Sequence, residues 1–367
     1  MENWVIPNQV CGILHYLKPD NRRMESIILD RISYGKEEDY GSLIEGSSGI
    51  YNEIFRFLRA WFSDTDEIEM STSGSTGVPK IIALKKEVMR KSADETCNFF
   101  NVKSSSSIHL CLPVRFIAGK MMLVRAIVSG ANVQVEEPVS SPNCNFKEAV
   151  QLSAMTPAQA LSILSNDPVR LETVNNLILG GAPVGSELKQ LLQNLGTNCY
   201  STFGMTETAT HIALMKLNGG DKSDVYKSIG DAYFELDERQ CLVVSSKNRE
   251  LENLATNDVV ELRDNQSFRW LGRWDNVINT GAIKLFPEEL ERKIQPYIQG
   301  NYFFTSLPDV VYGEIVILIV EGDERQLELG PLEKLEKPKQ IFFVDQFSFT
   351  ETGKIDRKNI LKEIMDA

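Results

Sequence analysis

Apolar positions fall in short blocks along this chain. Residues 174–179 form one that reads as a buried strand, and Leu188, Leu191, Leu192 and Leu195 then recur at helical spacing before Gly196. A second short strand is predicted over 198–203. Strand, helix and strand in that order predict a βαβ unit in a largely parallel sheet, with ligands beyond the carboxyl ends of its strands. After about Gly272 the pattern changes. A helix is predicted to open at Pro287 with Glu288, Glu289 and Glu291 near its positive end, followed by strands near 315–320 and 340–344. The expectation is an α/β fold: a large N-terminal domain, 1–272, with mostly parallel sheets sandwiched by helices, and a small α+β C-terminal domain, 273–367, with the boundary within 272–276.

Composition narrows the function. The 367 residues are 42% apolar and 25% charged, which suits a globular protein large enough for two cores. The longest strongly apolar run, 315–320, is far short of a bilayer span, and Met1-Glu2-Asn3-Trp4 lacks the basic-then-apolar order of a secretory signal. No membrane insertion is expected. The net charge of −12 argues against a nucleic-acid partner, so phosphate chemistry requires a local cluster of cations. Six cysteines without metal-ligand spacing fit reduced thiols in the cytoplasm.

A candidate for such a local site exists. Thr72, Ser73, Gly74, Ser75, Thr76, Gly77 and Lys80 pack hydroxyls, glycines and a lysine into a short loop, a composition suited to cradling a nucleoside triphosphate. Val78 and Pro79 separate Gly77 from Lys80, so this is not a Walker loop. Four further segments follow in order: Gly180-Gly181-Ala182-Pro183 after the first strand of the βαβ unit; Thr202-Phe203-Gly204-Met205-Thr206-Glu207 at the end of the next; Thr256-Asn257-Asp258 with Gly272-Arg273-Trp274-Asp275; and Thr352-Gly353-Lys354-Ile355-Asp356-Arg357 near the C-terminus.

Taken together, these five segments resemble the motifs of the adenylate-forming superfamily of acyl-CoA synthetases, luciferases and peptide-synthetase adenylation domains. The resemblance implies ATP-dependent activation of a small-molecule carboxylic acid to acyl-AMP, then transfer to CoA, with Mg²⁺ as cofactor. It places the triphosphate at Thr72 to Lys80 and adenine at Gly181, Ala182, Pro183 and Phe203. Thr202 and Gly204 flank that aromatic. The resemblance also puts the α-phosphate at Thr206, the metal at Glu207, the ribose at Asp258 and a ribose or phosphate contact at Arg273. Lys354 becomes the catalytic lysine and Asp275 the hinge of a mobile small domain. Gly281, in Asn279-Thr280-Gly281-Ala282, would line the CoA route. Two positions depart from the pattern: Asn257 stands where the family usually has glycine, and Ala282 replaces a common second glycine.

Residues 208–214, Leu217-Asn218-Gly219 and the short stretch ahead of the phosphate loop resemble compact o-succinylbenzoate:CoA ligases of menaquinone biosynthesis. Such a substrate carries a second carboxylate, which implies a basic partner; Arg125 and Lys120 are the candidates. His211, four residues after Glu207, either orients the pocket or donates to a substrate oxygen. The alternatives are another aryl- or acyl-CoA ligase, a stand-alone adenylation enzyme loading a carrier-protein thiol, and an inactive nucleotide-binding regulator.

Overall fold

The structure is a computed structural model that describes residues 26–71, 81–349 and 355–366. Residues 72–80, which include Thr72 to Lys80 of the phosphate loop, and Lys354 lie outside them. A thirteen-stranded sheet runs through the larger part of the described chain. Six neighbouring strands are parallel, in the spatial order Ser26–Leu29, Asn132–Val135, Ser107–Leu110, Leu152–Met155, Asn176–Leu179 and Asn198–Met205. Burial on both faces explains their apolar runs: Leu177 and Leu179 join one core while Ile178, between them, joins the other. Helices Gly49–Phe62, Lys86–Phe99 and Ile117–Ser129 cover the first face, and Pro157–Asn166 with Ser186–Leu192 the second.

Local sequence sets these elements. Pro157–Asn166 starts with a reciprocal capping box between Thr156 and Gln159, with Pro157 in its first turn. Ile117–Ser129 is buried nearly all round, from Met121 to Ile127, and ends at Gly130 in the left-handed conformation. Arg125 lies in the middle of that apolar stretch, so its guanidinium is carried into the core.

Beyond Met205 the sheet turns antiparallel. Thr210–Lys216, Tyr226–Ser228, Ser267–Arg273, Leu251–Asp264, Cys241–Ser246 and Tyr233–Leu236 extend it in that order, where the sequence pattern predicts a largely parallel sheet. The strand expected over 198–203 runs two residues further, which carries the Thr-Phe-Gly segment into the ladder. A separate antiparallel ribbon, Glu67–Ser71 with Ile81–Lys85, flanks residues 72–80.

The remaining chain forms a second sheet of five strands: Ile278–Thr280, Ile283–Leu285, Tyr302–Asp309, Gly313–Glu321 and Gln340–Val344. Helix Pro287–Ile294 contributes Leu290 and Ile294 to its core beside Phe304 and Leu318. Arg269 in the large sheet bonds Glu289 of that helix at 2.9 Å. Among the described residues no helix is long and apolar enough to cross a membrane, and Cys97, Cys111, Cys144, Cys199 and Cys241 are buried free thiols.

Candidate active site

The two glycine-bearing segments meet at the carboxyl ends of adjacent parallel strands. Asn176–Leu179 leads into Gly180-Gly181-Ala182-Pro183, with Gly181 at φ +85°. The Thr202 hydroxyl, on the neighbouring strand, donates to the Leu179 carbonyl at 3.1 Å. Phe203 is half-buried, its ring set edge-on to Phe268 at 5.0 Å between centroids. Gly204 is required by close backbone approach, since a Cβ there would stand 2.3 Å from the Thr210 carbonyl oxygen and 2.5 Å from the His211 Cα.

Thr206 and Glu207 occupy the tight turn between Asn198–Met205 and Thr210–Lys216, Glu207 exposed at its tip. The Thr208 hydroxyl accepts the Met205 N–H at 2.9 Å, and Ala209 and Thr210 both take positive φ, +49° and +88°. Such strain persists only where surrounding bonds over-determine it. The Ser92 hydroxyl donates to the Ala209 carbonyl at 2.7 Å, and Arg249 Nη1 donates to the carbonyls of Thr208 at 2.7 Å and His211 at 2.9 Å. Arg249 is itself buried and paired with Glu95 at 2.7 Å. Sequence reasoning missed this brace, because Glu95 and Arg249 are 154 residues apart and neither falls in a motif.

Asp258 and Arg273, fifteen positions apart in sequence, stand directly opposite each other on paired strands. Trp270 Nε1 donates to Asp258 Oδ1 at 2.9 Å, and Arg273 Nη1 lies 3.6 Å from Asp258 Oδ2. Arg273 also reaches Asp275 at 3.2 Å. The departure at Asn257 has a local role: its amide bonds the Asp275 carboxylate, at 3.3 Å and 3.4 Å, while its oxygen accepts from Arg239 at 3.0 Å.

The candidate acyl-pocket residues separate clearly. Arg125 is 1% exposed, and among the described residues its Nε and Nη2 find no hydrogen-bond partner; Nη1 meets only the Met122 sulfur, at 3.2 Å. Burial depresses its pKa to about 10. Lys120 instead points its ammonium at the Glu69 carbonyl, 3.3 Å away, on the ribbon that flanks residues 72–80. His211 is buried with Nε2 3.2 Å from the Thr96 hydroxyl. Burial first, then the guanidinium groups of Arg125 and Arg249, hold its pKa well below the ordinary value, so the ring is neutral.

Gly281 and Ala282 form the two-residue turn between Ile278–Thr280 and Ile283–Leu285, at φ +56° and +68°. Such a hairpin turn needs positive φ at both positions. Alanine therefore holds a conformation that glycine takes freely. Because the left-handed region costs alanine about 1–2 kcal/mol and glycine's extra unfolded-state freedom returns about 0.4–1, Ala282→Gly is expected to stabilise the protein by about 0.5–1 kcal/mol. A rise in the urea midpoint at unchanged m-value checks this. The flanks of 350–354 are also fixed: Phe349 and Ile355 form an antiparallel bridge, and Arg357 bonds Glu291 at 2.8 Å.

Residues 70–251 match the model of the AMP-binding enzyme family. The chain is 25% identical over 294 residues to the 2-succinylbenzoate–CoA ligase of Haemophilus influenzae, covering 74% of this chain and 62% of that one. It thus spans less than two thirds of that relative's length. Among solved structures it superposes on an acyl-CoA synthetase (AMP-forming)/AMP-acid ligase II-like protein from Dyadobacter fermentans with TM-score 0.59 and 30% identity, covering 88% of this chain and 98% of that one. The o-succinylbenzoate coenzyme A synthetase of Bacillus subtilis, in complex with ATP and magnesium ion, shares the fold at TM-score 0.66 and 17% identity, covering 80% and 69%. With a near full-length match at 30% identity, the chain belongs to the adenylate-forming, AMP-binding enzyme family.

Proposed function

We propose that this chain activates o-succinylbenzoate with ATP and transfers the acyl group to CoA, the ligase step of menaquinone biosynthesis, in the cytoplasm. The observation that carries the choice of acid is Arg125. A fully buried guanidinium with two unpartnered N–H-bearing nitrogens is costly unless an anion completes it. A second substrate carboxylate supplies both the charge and a planar, two-oxygen acceptor. Neutral His211 beside it is suited to donating a hydrogen bond to the substrate without adding a competing charge. Lys120 is the weaker partner, since its ammonium is turned to the strand Glu67–Ser71.

In the first step a carboxylate oxygen attacks the α-phosphorus of ATP and the bond to pyrophosphate breaks, leaving acyl-AMP. The carboxylate is already ionised at neutral pH, so no general base is needed. In the second step the CoA sulfur attacks the acyl carbon, AMP leaves and the thiol proton passes to solvent. We assign the phosphates to Thr72, Ser73, Gly74, Ser75, Thr76, Gly77, Lys80 and Thr206. Adenine is assigned to Gly181, Ala182 and Pro183 with Thr202, Phe203 and Gly204, and the ribose to Asp258 and Arg273. The exposed Glu207 carboxylate beside the Thr206 hydroxyl offers the hard oxygen donors that suit Mg²⁺, which when bound offsets triphosphate charge. Residues 1–272 and 273–367 act as two units in this reading. Rotation at Asp275 exchanges Lys354, which serves adenylation, for the Gly281 face, which lines the CoA route. Two separate sheets with separate cores support that division.

The test is a panel of acids incubated with ATP, Mg²⁺ and CoA, read by thioester mass. o-Succinylbenzoyl-CoA is the expected main product. Ready formation of a different thioester with none from o-succinylbenzoate would refute the substrate, and acyl-AMP that accumulates unless a carrier-protein thiol is supplied would refute CoA as acceptor.

A further inference from the structure

Three chemically unlike side chains converge on a part of the large sheet that holds none of the residues assigned above to adenylation. His109 lies in strand Ser107–Leu110, Glu136 follows the paired strand Asn132–Val135, and Cys144 lies in the loop beyond. One ligand atom from each, imidazole nitrogen, carboxylate oxygen and thiol sulfur, lies within 4.8 Å of the other two. His109 and Cys144 are buried, and Glu136 is mostly so.

The surroundings are organised around this trio. His109 Nε2 is 3.2 Å from Glu136 Oε2, while Nδ1 lies 3.0 Å from the Ser153 hydroxyl, which fixes the ring plane. Phe146 packs edge-on against the imidazole at 4.7 Å. Glu136 also accepts the backbone N–H groups of Asn143 and Cys144. Cys144 is held at φ +51°, a conformation unusual for a residue with a side chain. Organising the loop explains the carboxylate but requires neither a thiol nor an imidazole. A groove of about 690 Å³ is lined in part by Asn143, Cys144, Phe146 and Arg170.

We propose that His109 Nε2, Glu136 and Cys144 Sγ bind a zinc-type divalent ion, with water from the groove as the fourth ligand. Tetrahedral ligands at about 2.0–2.3 Å from the metal sit about 3.5 Å apart, so closure by roughly 1 Å completes the site. Nitrogen and sulfur donors select zinc over magnesium, which separates this site from the adenylation metal. On binding, the Cys144 thiol becomes a thiolate and its proton goes to solvent. Binding through Nε2 replaces the Nε2–H contact to Glu136, so the single ring proton then sits on Nδ1 and is donated to the Ser153 hydroxyl, any further ring proton going to solvent. The ion clamps the loop following Val135 to the parallel strands.

Full-length protein stripped of metal and titrated with Co²⁺ in excess Mg²⁺ tests this. One tight Co²⁺ per chain is expected, with a thiolate-to-cobalt charge-transfer band that Zn²⁺ displaces. Cys144→Ser abolishes the band, Cys111→Ser retains it, and Ser153→Ala weakens binding about tenfold or more. Zn²⁺ raises the melting temperature of the wild type by a few degrees but not that of Glu136→Gln, which removes the charged oxygen ligand, retains an acceptor for the loop and leaves the thiol in place. No band, or one that survives Cys144→Ser or disappears in Cys111→Ser, overturns the proposal. If Cys144→Ser does not fold, an unchanged Zn²⁺ shift in Glu136→Gln overturns it instead.

Discussion

Arg125→Met is expected to lower kcat/KM for o-succinylbenzoate by about 100-fold or more without lowering the melting temperature. A structural arginine behaves oppositely. Truncating one partner of a buried ion pair leaves a charge stranded and typically costs about 3–5 kcal/mol. Arg125 has no such partner among the described residues: the nearby cation, Arg249, is bound to Glu95, and Arg125 itself meets only the Met122 sulfur. Replacing it with an apolar side chain of similar length relieves desolvation instead of creating it. The loss therefore falls on binding of the acid. It is also selective, because 4-oxo-4-phenylbutanoate, which lacks the ring carboxylate, has nothing to offer the guanidinium. Its kcat/KM is expected to stay level or rise in the variant. Arg125→Lys restores charge but not the planar fork, so it recovers only part of the loss. Steady-state kinetics on both acids with a thermal melt decides the matter; equal loss on both, with a melting temperature several degrees lower, would make Arg125 a core cation unconnected to substrate.

Lys354→Ala is expected to reduce acyl-AMP formation by at least about 100-fold while CoA still reacts with supplied acyl-AMP near the wild-type rate. The lysine's assigned work is electrostatic: it holds the carboxylate and α-phosphate together as charge moves to pyrophosphate. Its assignment rests on the Thr352 to Arg357 motif. The Phe349–Ile355 bridge joins that motif's flanks to each other, and the Arg357–Glu291 pair ties them to helix Pro287–Ile294. Because the second half-reaction uses the other face of that sheet in this mechanism, the two half-reactions separate in the variant. Single-turnover measurements of each step check this, and equal loss in both would remove the rotation at Asp275.

Several segments assigned above to the nucleotide were legible in the sequence as local structure. Gly180 to Pro183 follows a strand whose apolar run announces it, and Thr202 to Glu207 closes the short strand expected after the next helix. Asp258 and Arg273 fall within one hairpin, so short-range pairing is enough to bring them face to face. The antiparallel half of the large sheet was not legible. Leu251–Asp264 is exposed towards both ends, and register shifts near Val259 and Leu262 interrupt the alternation by which a strand is recognised. The Glu95–Arg249 brace and the neutral state of His211 were equally hidden, since both depend on burial among residues far apart in sequence. The Asn257 departure could be seen but not interpreted until its amide was found on Asp275.

Helix Lys86–Phe99 begins where the ribbon flanking residues 72–80 ends, and along one length it presents Ser92 to the Ala209 carbonyl, Glu95 to Arg249 and Thr96 to His211. In the proposed function, that ribbon and the acyl pocket are thus mounted on a single beam. For anyone redesigning the enzyme, selectivity is not a cassette confined to the segment around Arg125. A graft that imports another relative's 113–125 alone would set a foreign pocket wall against a native beam, whereas one that also carries 86–99 and 208–211 moves the pocket with its own supports.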